Sequence, residues 1–178
     1  MATYIGFLRA INLGANRKFP KASIVKAVEA AGFTDVATYI NTGNVRFDTT
    51  LRSRAKIEAA LEEAFEAEAG FKVPTIVFTQ KELREIAEHA ESLSRSLGDG
   101  GRHYVSLCKD VPTAAAIKKL EDTSTADEVA KVGGRAVHLL LGGNYHEAKL
   151  TNAAVEKHLG VATNRNLTVI RALVERWC

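Results

Sequence analysis

Val36-Ala-Thr-Tyr-Ile-Asn-Thr-Gly-Asn-Val-Arg-Phe47 is the stretch on which the fold turns. Residues 36–40 and 45–47 are rich in β-branched and aromatic side chains, so both read as short strands. Asn41-Thr-Gly-Asn44 between them has hairpin chemistry, with Gly43 free to take a positive φ.

Working outward from this hairpin, the upstream residues Ile24, Val25, Val28 and Ala31 repeat with helical spacing. Pro20 suits the first turn of that helix and Gly32 its end. A strand over residues 3–11 precedes it, followed by the polar loop Asn12-Leu-Gly-Ala-Asn-Arg-Lys-Phe-Pro20. Downstream, a helix over 52–69 sets Ile57, Leu61, Ala64 and Phe65 on one face. Its acidic face, Glu58, Glu62, Glu63 and Glu66, reads as solvated. Residues 74–78 make a fourth strand. The order over 1–80 is β-α-β-β-α-β, the ferredoxin-like arrangement.

The rest of the chain repeats this order. A helix over 80–90 and the Gly98-Asp-Gly-Gly101 link lead to a strand at 104–107, a helix at 113–120 and a strand at 128–132. After the Gly133-Gly134 turn come a strand at 136–141, a helix at 151–159 and a last helix at 166–176. This is β-α-β-β-α, with the closing strand lost or replaced by a helix. The expectation is an α+β protein of two ferredoxin-like halves with antiparallel sheets, residues 1–80 and 81–178.

Composition fits a globular chain: 178 residues, 46 % hydrophobic and 25 % charged. The net charge of +3 permits a nucleic-acid partner, but residues 1–80 hold ten Lys/Arg against eight Asp/Glu, and the remainder fourteen against thirteen. Neither half is a basic module. The apolar start has no basic n-region and is interrupted by Arg9, so it reads as neither signal peptide nor membrane span. Cys108 and Cys178 are too few and too far apart for a disulfide framework or a zinc knuckle, and the cytoplasm is the expected compartment.

In a β-α-β-β-α-β sheet the first two strands run the same way, because a helix crosses between them. The loop after the first strand and the hairpin after the second therefore share one edge. Asn12, Gly14, Asn16, Arg17 and Lys18 should lie near Asn41, Thr42 and Asn44, with Arg9 just below. The first helix aims its free N–H groups at the same place, which favours an anion. Set against this, Asn and Gly are ordinary turn residues and basic loop residues are usually only solvated.

Tyr4-Ile-Gly-Phe-Leu-Arg-Ala-Ile-Asn-Leu-Gly14, Thr38-Tyr-Ile-Asn-Thr-Gly-Asn-Val45 and Thr163-Asn-Arg-Asn-Leu-Thr168 together resemble the bacterial domain-of-unknown-function family 1697. That family opens with Leu-Arg-Gly-Ile-Asn-Val-Gly, has Tyr-Leu-Gln-Ser-Gly-Asn-Val at the hairpin and closes with Thr-x-Arg-Asn-Trp-x-Thr. Arg9, Asn12, Gly43, Asn44, Lys149, Arg165 and Asn166 match. Ala10 stands for a glycine, Asn41-Thr42 for Gln-Ser and Leu167 for a tryptophan, which removes a stacking surface. The resemblance implies two ferredoxin-like halves and no particular activity.

No phosphate loop, nucleophile elbow or zincin helix is present, and no cofactor or metal is expected. The histidines at 89, 103, 138, 146 and 158 lack metal-ligand spacing; His138 reads as a half-buried strand residue and Cys108 as an inert thiol. Tyr4 and Phe47 faintly echo the base-stacking pair of RNA-recognition motifs. Three readings follow. The leading one is a binding protein whose polar cleft between the halves, lined by Arg9, Asn12, Asn41, Thr42, Gly43, Asn44, Lys149, Arg165 and Asn166, holds an anionic small molecule or a nucleic acid. The others are an enzyme using the same cleft, and an interaction or oligomerisation module. None involves a membrane, and oligomeric state is left open.

Overall fold

The structure, a computed structural model, describes residues 1–178, which divide into two compact units, Met1–Gln80 and Lys81–Arg176. The first unit is built from β1 (Ala2–Leu8), α1 (Lys21–Ala30), β2 (Thr34–Thr38), β3 (Asn44–Thr49), α2 (Arg54–Ala69) and β4 (Thr75–Thr79). Its sheet has the order β2-β3-β1-β4 with every neighbour antiparallel, so β1 and β2 do run the same way. β1 ends at Leu8, three residues earlier than the sequence suggests, because Ala10 adopts φ 58° and turns the chain out of the sheet.

Helices α1 and α2 cover one face of this sheet. Ile24 and Val28 from α1 and Ile57, Leu61 and Phe65 from α2 pack over Tyr4, Val45 and Phe47. Aromatic contacts run through this layer: Phe33 stacks on Phe47 at 5.0 Å, and Phe19 meets Phe65 edge-on at 5.4 Å. Tyr4 and Phe47 lie opposite one another in register and stack under the helices. They are core residues, so the expected echo of a base-stacking pair is corrected. Ile5, Phe7, Ile76 and Phe78 on the alternate face are buried as well.

The acidic face of α2 is a second correction. β4 is an edge strand, whose outward N–H groups need partners. Glu62 accepts from the Thr75 N–H at 2.9 Å and Glu58 from the Val77 N–H at 3.2 Å. Glu58 is 4 % exposed and also faces Arg54 at 3.7 Å. Two of the four glutamates therefore close the sheet edge.

The second unit comprises α3 (Gln80–Ser94), β5 (Arg102–Cys108), α4 (Ala114–Glu121), β6 (Glu128–Gly133), β7 (Ala136–Leu141), α5 (Asn152–Leu159), β8 (Ala162–Asn166) and α6 (Leu167–Trp177). Its sheet order is β6-β7-β5-β8, again antiparallel throughout. The closing strand, expected to be missing, is present as β8. Its sequence, Ala-Thr-Asn-Arg-Asn, carries no apolar alternation, which is why it reads as a loop running into a helix. Here too carboxylates satisfy the edges: Glu156 accepts from Ala162 N–H at 3.3 Å and Glu121 from Val132 N–H at 3.0 Å.

Helices α4 and α5 cover the face bearing Cys108, Val137, Leu139, Leu141 and Ala162. Helix α3 reaches the opposite face, where the His89 ring sits edge-on against His138 at 4.7 Å. Gly133 on β6 permits that approach, since a Cβ there would come within 2.8 Å of His89 Nδ1. Glu91 of α3 pairs with Arg171 of α6 through both carboxylate oxygens, and Arg84 donates to the Cys178 carbonyl at 2.7 Å. No helix is long and apolar enough to cross a membrane.

Candidate functional site

The loop after β1 and the β2–β3 hairpin meet as the topology requires, and Asn12 joins them. Its Nδ2 donates to the Asn41 carbonyl at 2.8 Å and to the Phe19 carbonyl at 3.1 Å, while its Oδ1 accepts from Phe19 N–H at 2.7 Å. Asn44 is 1 % exposed and donates to the Tyr39 carbonyl at 3.0 Å and to Thr42 Oγ1 at 2.9 Å. Gly43, at φ 86°, lets the hairpin approach β1: a Cβ would come within 2.7 Å of Leu8 Cβ, and its carbonyl accepts from Leu8 N–H at 2.8 Å.

Arg17, expected in an anion site, instead binds the chain. Its guanidinium donates to the carbonyls of Ala10 and Lys72 and lies 4.5 Å above the Phe71 ring centroid. Arg9 is half-buried, with its backbone N–H bonded to the Pro74 carbonyl at 2.9 Å. Asn41, Thr42 and Lys18 are exposed. Ala10, Asn12, Arg17 and Ile40 all have positive φ, so backbone strain gathers at this edge. Asn12, Gly43 and Asn44 spend their polar groups holding the loop and hairpin together.

The remaining sequence candidates, Lys149, Arg165 and Asn166, belong to the second unit. Lys149 is exposed in the segment before α5, its backbone N–H held by Glu128 at 2.6 Å. Arg165 is 6 % exposed and donates to Thr163 Oγ1 at 2.9 Å and the Asn164 carbonyl at 2.8 Å. Burial lowers its guanidinium to about 10, so it remains charged at neutral pH. Asn166 follows it on β8 and caps α6, accepting from Val169 N–H at 2.9 Å.

Asn166 also lines a cavity of about 510 Å³ that the sequence does not reveal. Ser94 at the end of α3, Arg102, His103 and Tyr104 at the start of β5, and Leu167, Thr168 and Arg171 on α6 form its walls. The ends of these elements are brought together by the β5–β8 register, in which Tyr104 faces Asn166. Arg102 is exposed and donates to the Gly100 carbonyl at 2.9 Å. Arg171 turns its Nε and Nη2 to Glu91, and this hydrogen bond holds the Glu91 carboxyl below the usual carboxylate range.

His103 lines this cavity and belongs to a cluster of three histidines, with His138 in ring contact with both His103 and His89. His103 and His138 lie diagonally on one face of the adjacent strands β5 and β7. Ser94 Oγ is 2.7 Å from His103 Nδ1, and His103 Nε2 is 3.0 Å from His138 Nδ1. Burial pulls His103 down to about 4 and His138 to about 3, so both imidazoles are neutral at physiological pH. No group of His, Cys, Asp and Glu in the chain has a geometry that would hold a metal ion. The cluster joins residues 89, 94, 103 and 138 from three elements, and only the pairing of β5 with β7 could have disclosed it. Burial pushes the Cys108 thiol up to about 11, which keeps it protonated.

No protein of curated function matches this sequence. A solved structure, that of a conserved bacterial protein from Streptococcus pneumoniae, is similar with 19 % identity and a TM-score of 0.71 over 97 % of each chain. At that identity the likeness concerns the fold. The sequence profile described as "Protein of unknown function (DUF1697)" matches residues 1–138, and the chain belongs to that family.

Proposed function

We propose that this chain is a cytoplasmic binding protein for an anionic ligand, a phosphorylated small molecule or the phosphates of a nucleic acid. The ligand's seat in this reading is the cavity walled by α3, β5 and α6. One observation carries the reading: Arg102 and Arg171 both line a cavity of about 510 Å³ to which the first turn of α6 also contributes. Arg171 keeps Nη1 for a ligand after pairing with Glu91, and Thr168 adds a hydroxyl. The N-terminus of α6 lies at this cavity and carries a partial positive charge, which adds to the pull of both arginines on an anion. The size of the cavity suits a small phosphate ester better than a duplex. Both cysteines are free thiols, as a reducing compartment favours.

Calorimetric titration with glycerol 3-phosphate and with a single-stranded RNA oligomer, at low salt, tests the reading. Arg102→Ala should weaken whichever one binds by about tenfold or more, the scale of a lost charge-assisted hydrogen bond. If neither binds at low salt, where even non-specific phosphate contacts register, the reading fails. Binding that Arg102→Ala leaves unchanged moves the seat away from this cavity.

A further inference from the structure

We propose that Ser94 is an acyl-accepting nucleophile, with His103 as its base and His138 as the residue that positions His103. This deepens the anionic-ligand reading, since it uses the same cavity. The substrate class is an ester or thioester whose acyl part carries a carboxylate or phosphate for Arg102 and Arg171.

The geometry supplies the parts that nucleophilic catalysis requires. Ser94 lines the cavity with its Oγ 2.7 Å from His103 Nδ1, and His103 is in turn 3.0 Å from His138. Thr168, in the first turn of α6, stands at the cavity wall, where helix geometry gives its N–H no intrahelical acceptor. Val169 N–H is already taken by Asn166 and, by the β5–β8 register, Leu167 N–H by the His103 carbonyl, so the Thr168 N–H is the one available to an oxyanion.

Proton positions follow from the chain of bonds. For Ser94 to donate to Nδ1, His103 must carry its proton on Nε2 and give it to His138 Nδ1. His138 then holds its own proton on Nε2, which is buried with no partner. Such an orphaned polar atom costs about 1–3 kcal/mol, and an aliphatic residue would fill the space without it. Holding His103 in one tautomer is a role that would offset that cost.

In the reaction, Ser94 Oγ adds to the acyl carbon as its proton passes to His103 Nδ1. The oxyanion collapses, the bond from the acyl carbon to the leaving oxygen or sulfur breaks, and the leaving group takes the proton from His103. Water then attacks the Ser94 ester with the same base, releasing the acid and restoring the hydroxyl. His103 faces Arg171 on α6, Glu91 and His89 on α3, and His138 on β7. Neutral at physiological pH, it can accept a proton there, and activity should persist down to about pH 5 before failing.

The test uses the full chain with 4-nitrophenyl hemisuccinate and 4-nitrophenyl acetate, following nitrophenolate release and intact mass. The wild type should release nitrophenolate and gain one succinyl group on Ser94. Ser94→Ala should lose that label, and His103→Gln should slow acylation by about 10²-fold or more. Ser94→Cys should be alkylated by iodoacetamide faster than Cys178 in the same molecule, even if Ser94→Ala folds poorly. An unlabelled wild type, or equal labelling of Ser94→Ala, overturns the proposal. Calorimetric binding of succinate without acylation also overturns it while sparing the anion reading. Equal acylation of Ser94 by both esters supports the nucleophile and rejects the anion preference.

Discussion

The two units share one topology and divide the aromatic chemistry between them. All seven phenylalanines lie in residues 1–80, and all five histidines lie in residues 81–178. Both units join the first strand to its neighbours identically: Leu8 N–H to Gly43 carbonyl and Cys108 N–H to Arg135 carbonyl are each 2.8 Å, and Arg9 to Pro74 and Lys109 to Val161 are each 2.9 Å. The same frame thus holds a ring-packed apolar layer in one unit and a buried imidazole cluster in the other. Topology does not dictate what a βαββαβ core contains; a sheet face accepts rings that pack by area as readily as rings that must be hydrogen-bonded.

The difference predicts how each unit fails. Phe47 is fully buried between Tyr4 and Phe33, so Phe47→Ala removes two ring contacts and leaves a cavity. The expected loss is about 3–5 kcal/mol, read from the urea midpoint, with faster hydrogen exchange in peptides from residues 1–80. A loss below about 1 kcal/mol would mean that this layer collapses around the gap and is not held by ring packing.

The second unit should be sensitive to acid instead. His103 and His138 titrate near 6.5 when unfolded but at about 4 and about 3 when folded. The unfolded chain therefore binds protons first, so stability is full above pH 6.5 and drains as pH falls towards those lower values. Between pH 7 and pH 4.5 the expected loss is about 2–4 kcal/mol, below the simple sum because the two rings are coupled. Exchange should rise first in peptides from residues 81–176, and His138→Leu should flatten the dependence. A urea midpoint constant across this range would break the contrast between the units.

Periodicity made the first unit legible in the sequence, because Ile24, Val28, Ile57, Leu61 and Phe65 mark both helices and the hairpin residues mark themselves. It failed at β8, where a strand pairs through its backbone while its side chains are Thr, Asn and Arg. The meeting of Asn12 with Asn41 followed from strand direction alone. The use of Asn12 and Asn44 as internal ties did not, since an amide that anchors a turn and one that binds a ligand are the same residue in sequence. The Ser94–His103–His138 chain was illegible for a related reason: its members become neighbours only through a strand register that spacing does not encode.

The smallest effect expected separates strain from topology. At the end of β1, Ala10 sits at φ 58°, and the chain takes further positive-φ residues at Asn12 and Arg17 before reaching α1. The equivalent step in the second unit, Lys109 to Thr113, reaches α4 without any positive-φ residue. The left-handed turn at Ala10 is therefore not demanded by the frame. For an L-residue it costs about 1–2 kcal/mol, which glycine avoids, although glycine gives back about 0.5–1 kcal/mol through the freedom of its unfolded chain. Ala10→Gly should raise Tm by about 2 °C, the scale of a net gain just under 1 kcal/mol in a chain of this size. Asp110→Gly, at the matching position with ordinary φ, should lower it. If both substitutions move Tm the same way, the loop after β1 is shaped by its contacts to Arg17 and Asn12 rather than strained at Ala10, and the two units differ in loop length alone.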